Sequence, residues 1–400
     1  MIIEDWQLHH PATDRAPGAP GTIGLSDEFM QRVADDRTWC LFDTGRAADL
    51  AELDGAAFAE RYGEYVALAG AGRVAHRRVG ARDHLADLVG LLRAGRVSAL
   101  VWKDAVAGRD LVGGVPLPAQ GAAPESAPGG RGVLNVAQYL AAPGVGVEWV
   151  RLAGAVRRAV RRLDEGVDLA PVPDPDRRLA LGVAGFGDLV EALGLGYGSS
   201  AARVLADRLL EFISWHAIDA SADLARERGS FAGVHSSGWS RGLVPIDTLD
   251  LLEGRRGLVA ARLDWDRLRL KVAGGLRNAT LLSISPDAPG LLPAGTSPGL
   301  QPALGHAASV EAVLEVVARA QKWVDQTISH TLTADCSTAT WVAACLRGWR
   351  LGLKTAPGPV RVMDDWAVAE QVGTQAAGAR VAAGVGAGRV VTGPWQRATA

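Results

Sequence analysis

One turn of the sequence combines features of an anion-binding loop. Ser285–Gly290 (SPDAPG) follows an apolar run and carries two prolines and a glycine. Backbone N–H groups in such a turn can converge on a phosphate or a carboxylate. Asp287 opposes this use, because its carboxylate would repel a phosphate. The candidate ligand loop comprises Ser285, Pro286, Asp287, Ala288, Gly290, Gly295, Thr296 and Ser297.

Thiol and metal chemistry find little support in the residue types. The chain has three cysteines, Cys40, Cys336 and Cys345, which are too few for a disulfide scaffold. This usage is typical of a reducing compartment, so we expect a cytoplasmic protein. The HExxH, CxxC and Walker A motifs do not occur in the sequence. No metal site is predicted.

The overall charge argues against nucleic acid or a membrane as partner. Forty-two basic and 44 acidic residues give a net charge of −2, so the chain has no global basic field. The longest uncharged stretch, residues 288–310, contains four prolines. It therefore cannot form a continuous apolar helix across a bilayer.

The pattern of apolar residues predicts an α/β fold that would position the candidate loop. Residues 276–285 (LRNATLLSIS) predict a buried strand, and the loop follows its carboxyl end, where α/β folds bind ligands. Residues 178–193 predict a strand, a turn and a helix. Further helical segments are expected over 26–89, 152–163, 199–228, 309–329 and 339–351.

Composition divides the chain into three parts. Residues 1–21 predict a flexible leader, residues 22–356 a main α/β domain, and residues 357–400 an Ala/Gly-rich tail. Residues 105–132 form a long Pro/Gly/Ala stretch within the domain. In a compact domain such a loop is usually functional or disordered.

Several distinctive blocks of sequence follow one another along the chain. They are TIGLSDEFMQRVADDRTWCLFD (22–43), RRLALGVAGFGDLVEALGLGYGS (177–199), LARERGSF (224–231), LVPIDT (243–248), GLRNATLLSISP (275–286), AGTSPGLQP (294–302), QKWVDQTIS (321–329) and GWRLGLKT (348–355). In this order the blocks resemble the large subunit of ribonucleotide reductases. The similarity covers about residues 22–356, and the blocks are most similar to those of the adenosylcobalamin-dependent class.

The resemblance implies a fold and a reaction centre. The fold would be the C-terminal part of the family's ten-stranded α/β barrel, with many flanking helices. In the family a finger loop, here about 105–132, carries Asn-x-Cys-x-Glu into the barrel, and its cysteine becomes a thiyl radical. Aligned on VPL (115–117), Asp110, Val112 and Gly114 occupy those three positions. Valine has no S–H and glycine no carboxyl group, so the resemblance implies a scaffold without its reaction.

Other family positions also depart from the pattern. Gly129 falls near the position of a second family cysteine. The family's phosphate-holding turn, Pro-Thr-Gly-(Thr/Ser)-Ile-Ser, corresponds to residues 286–291, which lose every hydroxyl and gain Asp287. We therefore expect weakened diphosphate binding. Adenosylcobalamin is a cofactor only by resemblance, since no residue pattern calls for it.

The match begins partway through the family's catalytic domain, so we expect an incomplete barrel lacking its first half. An open sheet edge and exposed apolar faces would need to be covered. We therefore expect a homo-oligomer, or a partner chain that completes the barrel. A nucleotide-like small molecule is the expected ligand.

Three functional hypotheses follow. The favoured one is a catalytically degenerate reductase-like protein with a binding, accessory or regulatory role. The second is an enzyme with new chemistry on the old scaffold, using Asp110, Asp287 or Cys336. The third is a ribonucleoside-diphosphate reductase component that needs a complementary chain. The missing finger cysteine weakens the third, because that position belongs to the half that is present.

Overall fold

The structure is a computed structural model that describes residues 21–43, 45–112, 131–142, 145–170, 174–249, 262–285, 293, 295–332 and 336–359. The helices are α1 (Asp27–Ala34), α2 (Gly55–Gly70), α3 (Ala81–Arg93), α4 (Lys103–Ala107), α5 (Trp149–Asp168), α6 (Phe186–Ala192), α7 (Ser200–Arg228), α8 (Trp265–Ala273), α9 (Val310–Gln321) and α10 (Thr338–Arg350). The strands are β1 (Gly21–Leu25), β2 (Thr38–Phe42), β3 (His76–Gly80), β4 (Val97–Trp102), β5 (Arg131–Asn135), β6 (Leu140–Ala142), β7 (Gly146–Val147), β8 (Ala180–Ala184), β9 (Thr331–Leu332) and β10 (Gly358–Pro359).

Parallel strand pairs form the centre of the fold. β5 pairs with β8, β9 with β10 and β1 with β4, each in parallel. Parallel bridges at Leu181–Leu282 and Ile284–Ile328 connect β8 to the segment before β9. An antiparallel bridge, Val101–Thr355, connects β4 to the segment before β10. β5, β8, β9, β10, β4 and β1 therefore follow one another in hydrogen-bonded order through these pairs and bridges, whereas β2–β3 and β6–β7 are separate antiparallel pairs. No closed barrel is detected among the described strands.

Helix α7 confirms the sequence prediction for residues 199–228. The Ser199 side chain accepts a hydrogen bond from the Ala202 N–H at 3.1 Å, which satisfies a donor of the first turn. Gly229 ends the helix with φ +87°, a backbone conformation that favours glycine. The predicted strand, turn and helix over 178–193 are also present, as β8 and α6.

The predicted helical region over 26–89 is wrong in part, because it contains the antiparallel pair β2–β3. Trp39, Cys40, Leu41 and Phe42 are all buried. A continuous apolar run of this length cannot be separated into strand or helix by periodicity alone. Its aromatic residues favour the strand.

The helix predicted over 309–329 is also too long, because α9 ends at Gln321. The Gln321 side chain donates to the carbonyls of Val324 (3.3 Å) and Gln326 (2.9 Å) and accepts from the Ile328 N–H at 3.2 Å. These bonds stabilise a turn, and the chain after it continues as extended backbone beside residue 284.

A buried carboxylate ties α5 and α7 to the chain around the central strands. Asp164 is fully buried. It accepts hydrogen bonds from Arg177 Nε at 2.8 Å, Asn278 Nδ2 at 3.0 Å, Arg277 Nε at 3.3 Å and Arg228 at 3.4 Å. Such a charge is tolerated in a core only when it is paired. Arg177, Arg277 and Asn278 belong to the reductase-like blocks, and here they act in packing.

None of the described helices is long and apolar enough to cross a bilayer.

Candidate functional site

Residues 109–112 form the root of the segment that aligns with the family's finger loop, and hydrogen bonds fix them at several points. β4 leads into α4, and the buried Arg109 follows. Its guanidinium donates to the carbonyls of Gln321 (2.6 Å) and Gly352 (3.1 Å), at the ends of α9 and α10. A cation there also interacts favourably with the helix dipoles. The Leu111 carbonyl accepts from the Gly238 N–H at 2.7 Å. Arg109 and Leu111 are therefore held in fixed positions by contacts with distant parts of the chain.

Two of the four positions predicted to correspond to family site residues, Asp110 and Val112, lie next to Arg109. Asp110 Oδ1 accepts a hydrogen bond from the Val112 N–H at 2.8 Å, which forms a local turn. The Val112 side chain is half-buried and packs against the hydrophobic core. Gly114 and Gly129 lie outside the described residues.

A buried lysine lies close to this root. Lys354 Nζ donates to the Asp325 carbonyl at 2.6 Å. Burial lowers the pKa of Lys354 to about 7, Arg109 lowers it as well, and Asp325 and Asp110 act in the opposite direction. The Asp325 carboxylate accepts the N–H groups of Leu281 (2.7 Å) and Leu282 (2.8 Å). Sequence reasoning missed this group, although the block GWRLGLKT (348–355) contains Lys354 and could have drawn attention to it.

The candidate ligand loop is described at four positions, Ser285, Gly295, Thr296 and Ser297; Pro286, Asp287, Ala288 and Gly290 lie outside the described residues. Ser285 is half-buried, and Gly295 is exposed with φ +86°. Thr296 and Ser297 are buried. Asn135 Nδ2, at the carboxyl end of β5, donates to Thr296 Oγ1 at 3.4 Å. Among the described positions, Thr296 therefore lies at the carboxyl end of β5.

Ser297 caps helix α6 from a different part of the chain. The N-cap residue of α6 is Gly185, which has no side chain to accept a hydrogen bond. Ser297 Oγ accepts from the Asp188 N–H at 3.3 Å, and Asp188 Oδ2 accepts from the Ser297 N–H at 2.8 Å. The Gly185 N–H donates to the Ser297 carbonyl at 2.8 Å. This reciprocal pairing satisfies N-terminal helix donors and fixes the loop.

The backbone after Ser297 packs directly on α6. A Cβ atom at Gly187 would lie 2.2 Å from the Ala303 nitrogen and 2.5 Å from the Gln301 carbonyl oxygen. Only glycine fits at this distance. The Gly187 position therefore sets how closely residues 301–303 approach the helix.

Two of the three cysteines are packed in the protein interior. Cys40 lies in β2 and is buried, and its N–H donates to Tyr62 Oη at 2.7 Å. Cys345 lies in α10, and burial raises the pKa of its thiol to about 12. Cys336 is half-buried against the core. A buried thiol with a raised pKa is a poor nucleophile.

No group of three His, Cys, Asp or Glu side chains among the residues that the structure describes could hold a metal ion.

Three known proteins to which this chain is similar are all ribonucleotide reductases. The family model "Ribonucleotide reductase, barrel domain" matches residues 132–309. Ribonucleoside-diphosphate reductase subunit alpha of Chlamydia muridarum is 29% identical over 308 residues, which cover 70% of this chain and 29% of that protein. The subunit alpha of Helicobacter pylori is 36% identical over 157 residues, covering 36% of this chain and 20% of that protein.

A third relative extends the similarity to a different class. The vitamin B12-dependent ribonucleoside-diphosphate reductase of Mycobacterium tuberculosis is 32% identical over 179 residues, covering 43% of this chain and 21% of that protein. Residues 132–309 therefore belong to the ribonucleotide reductase barrel-domain family, and 70% of the chain is similar to a reductase alpha subunit. The chain spans less than a third of the length of these relatives. The resemblance found in the sequence blocks is confirmed, including the similarity to B12-dependent reductases.

The described residues do not fit the radical chemistry of adenosylcobalamin. That chemistry needs a cysteine thiol on the finger loop. The resemblance aligns Val112 with this cysteine, and the aliphatic side chain of Val112 packs against the core. The sequence has no cysteine between residues 41 and 335 that could take its place.

Proposed function

We propose that this chain is a ribonucleotide reductase-like protein that does not reduce ribonucleotides by the thiyl-radical route and acts by binding, in an accessory or regulatory role. The observation that carries the proposal is the lack of any cysteine between residues 41 and 335. This interval contains the whole connection from β4 to β5, where the family places its radical cysteine. No shift of the alignment within that interval supplies a thiol.

The strand order supports the finer proposal of a domain, residues 22–356, built on part of a ten-stranded barrel. Five parallel segments, from β5 through β8 to β10, follow one another in hydrogen-bonded order. The parallel pair β1–β4 joins them through the antiparallel bridge Val101–Thr355. The two groups of parallel strands are therefore antiparallel to each other where they join. A barrel built from two halves requires this arrangement.

The ligand that we propose is a nucleotide-like small molecule at the candidate loop. Ser285, Thr296 and Ser297 keep hydroxyl groups there, and the loop is fixed against Asn135 and α6. A site on rigid elements can bind without performing a reaction. We propose a cytoplasmic protein that needs neither nucleic acid nor a membrane as partner.

A reduction assay tests the loss of the family reaction. The purified chain is incubated with adenosylcobalamin, a dithiol and each ribonucleoside diphosphate or triphosphate, and deoxynucleotides are measured by chromatography. We expect no product above a protein-free blank, with an active B12-dependent reductase as positive control. Measurable deoxynucleotide formation would overturn the proposal. Calorimetric titration with the same nucleotides tests binding, and heat changes equal to dilution would overturn the ligand assignment.

One observation favours a second function, an enzyme with new chemistry. Asp110 lies close enough to Lys354 to raise the pKa of the lysine, while burial lowers that pKa to about 7. A lysine with a pKa near neutrality can exchange a proton with a bound substrate. Lys354 is 3% exposed, however, and Nζ is bound to the Asp325 carbonyl. Its contacts favour a structural role, so the binding function remains our proposal.

A further inference from the structure

A groove lies on the outer surface, over the carboxyl-terminal half of α7 and between α5 and α8. It consists of two adjoining depressions of about 500 and 400 Å³. Arg157, Asp223 and Arg226 line both of them. Volumes of this size are typical of small-molecule sites. The groove contains none of the positions aligned with the family's reaction centre.

The carboxylates in the groove are already paired. Asp223 accepts from Arg157 at 2.6 Å and forms an ion pair with Lys271 at 2.8 Å. The neighbouring Asp219 is bound by the same two cations. Glu227 is bound by Arg161 at 2.8 Å. These pairs join α5, α7 and α8, and they leave the acidic groups with little capacity to attract another cation.

The cations outnumber the carboxylates. Six basic side chains line the groove, against the three acidic ones, which leaves an excess of three positive charges. Arg158 and Arg267 have no carboxylate within 4 Å among the residues that the structure describes. Arg226 reaches Asp223 only at 3.9 Å. These three guanidiniums come from α5, α8 and α7, so they face the groove from three helices.

Apolar groups form part of the wall. The Trp215 ring lines the larger depression, and Leu270 beside it is 80% exposed. A large aliphatic side chain exposed to this extent beside an aromatic ring is suited to contact with a ligand.

We propose that this groove binds a small molecule that carries a polyphosphate group. Guanidinium groups match phosphate oxygens in a bidentate geometry, and each such hydrogen bond is strengthened by charge. The two depressions share Arg157, Asp223 and Arg226, so the proposed phosphate chain extends from Arg267 and Arg226 in one toward Arg158 in the other. The inference is independent of the proposed function, because it uses a different surface of the molecule.

The test is calorimetric titration of the full chain with inorganic tripolyphosphate at low salt. We compare the double variant Arg226→Gln/Arg267→Gln with the charge-matched control Arg78→Gln/Arg162→Gln, whose residues are exposed and lie outside the groove. Loss of two charge-assisted contacts should weaken binding by at least about tenfold. The control should keep the wild-type dissociation constant within about twofold, because it removes the same net charge elsewhere.

Two outcomes with tripolyphosphate, and a third with an acidic peptide, would overturn the proposal. One is the absence of binding at millimolar tripolyphosphate in the wild type, and the other is equal weakening in the two double variants, which would indicate general charge attraction. Tighter binding of an acidic peptide than of tripolyphosphate would assign the groove to a protein partner instead. A nucleoside triphosphate is titrated as well. If it binds more tightly than tripolyphosphate, the nucleoside also contacts the groove, and if it binds equally, the groove recognises the phosphate chain alone.

Thermal unfolding of both double variants shows whether they remain folded.

Discussion

At the scale of single residues, the buried His330 should make the protein sensitive to acid. Burial lowers the pKa of His330 from 6.5 to about 4 in the folded chain. As the pH falls below 6.5, the unfolded chain therefore takes up a proton before the folded chain does, and the free energy of unfolding decreases until about pH 4. The pKa difference corresponds to about 3 kcal/mol.

The variant His330→Asn checks this effect. It keeps a nitrogen near the position of Nδ1, which lies 3.4 Å from the Ile328 carbonyl, and it removes the titrating ring. Urea unfolding at pH 7 and pH 4.5 should show a smaller loss of stability on acidification in the variant than in the wild type. His76→Gln, at an exposed histidine, is the control and should keep the wild-type loss. An unchanged loss in His330→Asn would show that other groups cause the acid sensitivity.

Residue types alone predict some features of the candidate site and not others. Val112 could be placed at the finger position from the alignment alone, and its lack of an S–H needs no structure. The environment of Lys354 could not be predicted, because it depends on Arg109, 245 positions away, binding the carbonyls near both helix ends. A local sequence pattern carries no information about such a long-range contact.

At the scale of elements, two helix caps of the same kind should differ in their effect on ligand binding. Ser297 Oγ accepts from the third N–H of α6 at 3.3 Å, and Ser309 Oγ accepts from the third N–H of α9 at 3.2 Å. Each substitution by alanine should lower the free energy of unfolding by about 1 kcal/mol. Only Ser297→Ala also loosens the candidate ligand loop, so only this variant should weaken nucleotide binding.

Chemical denaturation and calorimetric titration of both variants measure the two effects separately. Ser309→Ala is the matched control, since it loses the same type of bond at a helix outside the loop. Wild-type nucleotide affinity in Ser297→Ala would contradict the assignment of the loop as a ligand site. Weakened binding in both would indicate that affinity follows overall stability.

Elements with strong local signals were predictable, and those defined by long-range contacts were not. Ser199 and Gly229 mark the ends of α7 by cap chemistry that acts within one turn. The cap of α6 was not predictable, because Gly185 carries no side chain and its substitute, Ser297, lies 112 positions later in the chain. For the same reason, the strand order through bridges such as Val101–Thr355 could be known only from the structure.

At the scale of the whole molecule, the sheet order predicts association. Among the described residues, β1 pairs only with β4 and β5 pairs only with β8. An unprotected strand edge is a template for pairing with another chain. We therefore expect light scattering to give a mass that is a multiple of 41.7 kDa, or that of a complex with a partner chain. A monodisperse species of 41.7 kDa over the accessible concentration range would contradict this.

Hydrogen exchange shows whether these edges form the contact. If they do, the amides of β1 and β5 should be protected at high protein concentration and lose protection on dilution, because dissociation exposes their outer hydrogen-bonding groups. The amides of β3, which pairs with β2 in a separate antiparallel sheet, should exchange at the same rate at both concentrations. Association without a change in β1 or β5 would place the contact on another surface, such as the exposed side chains of Val145 and Val150.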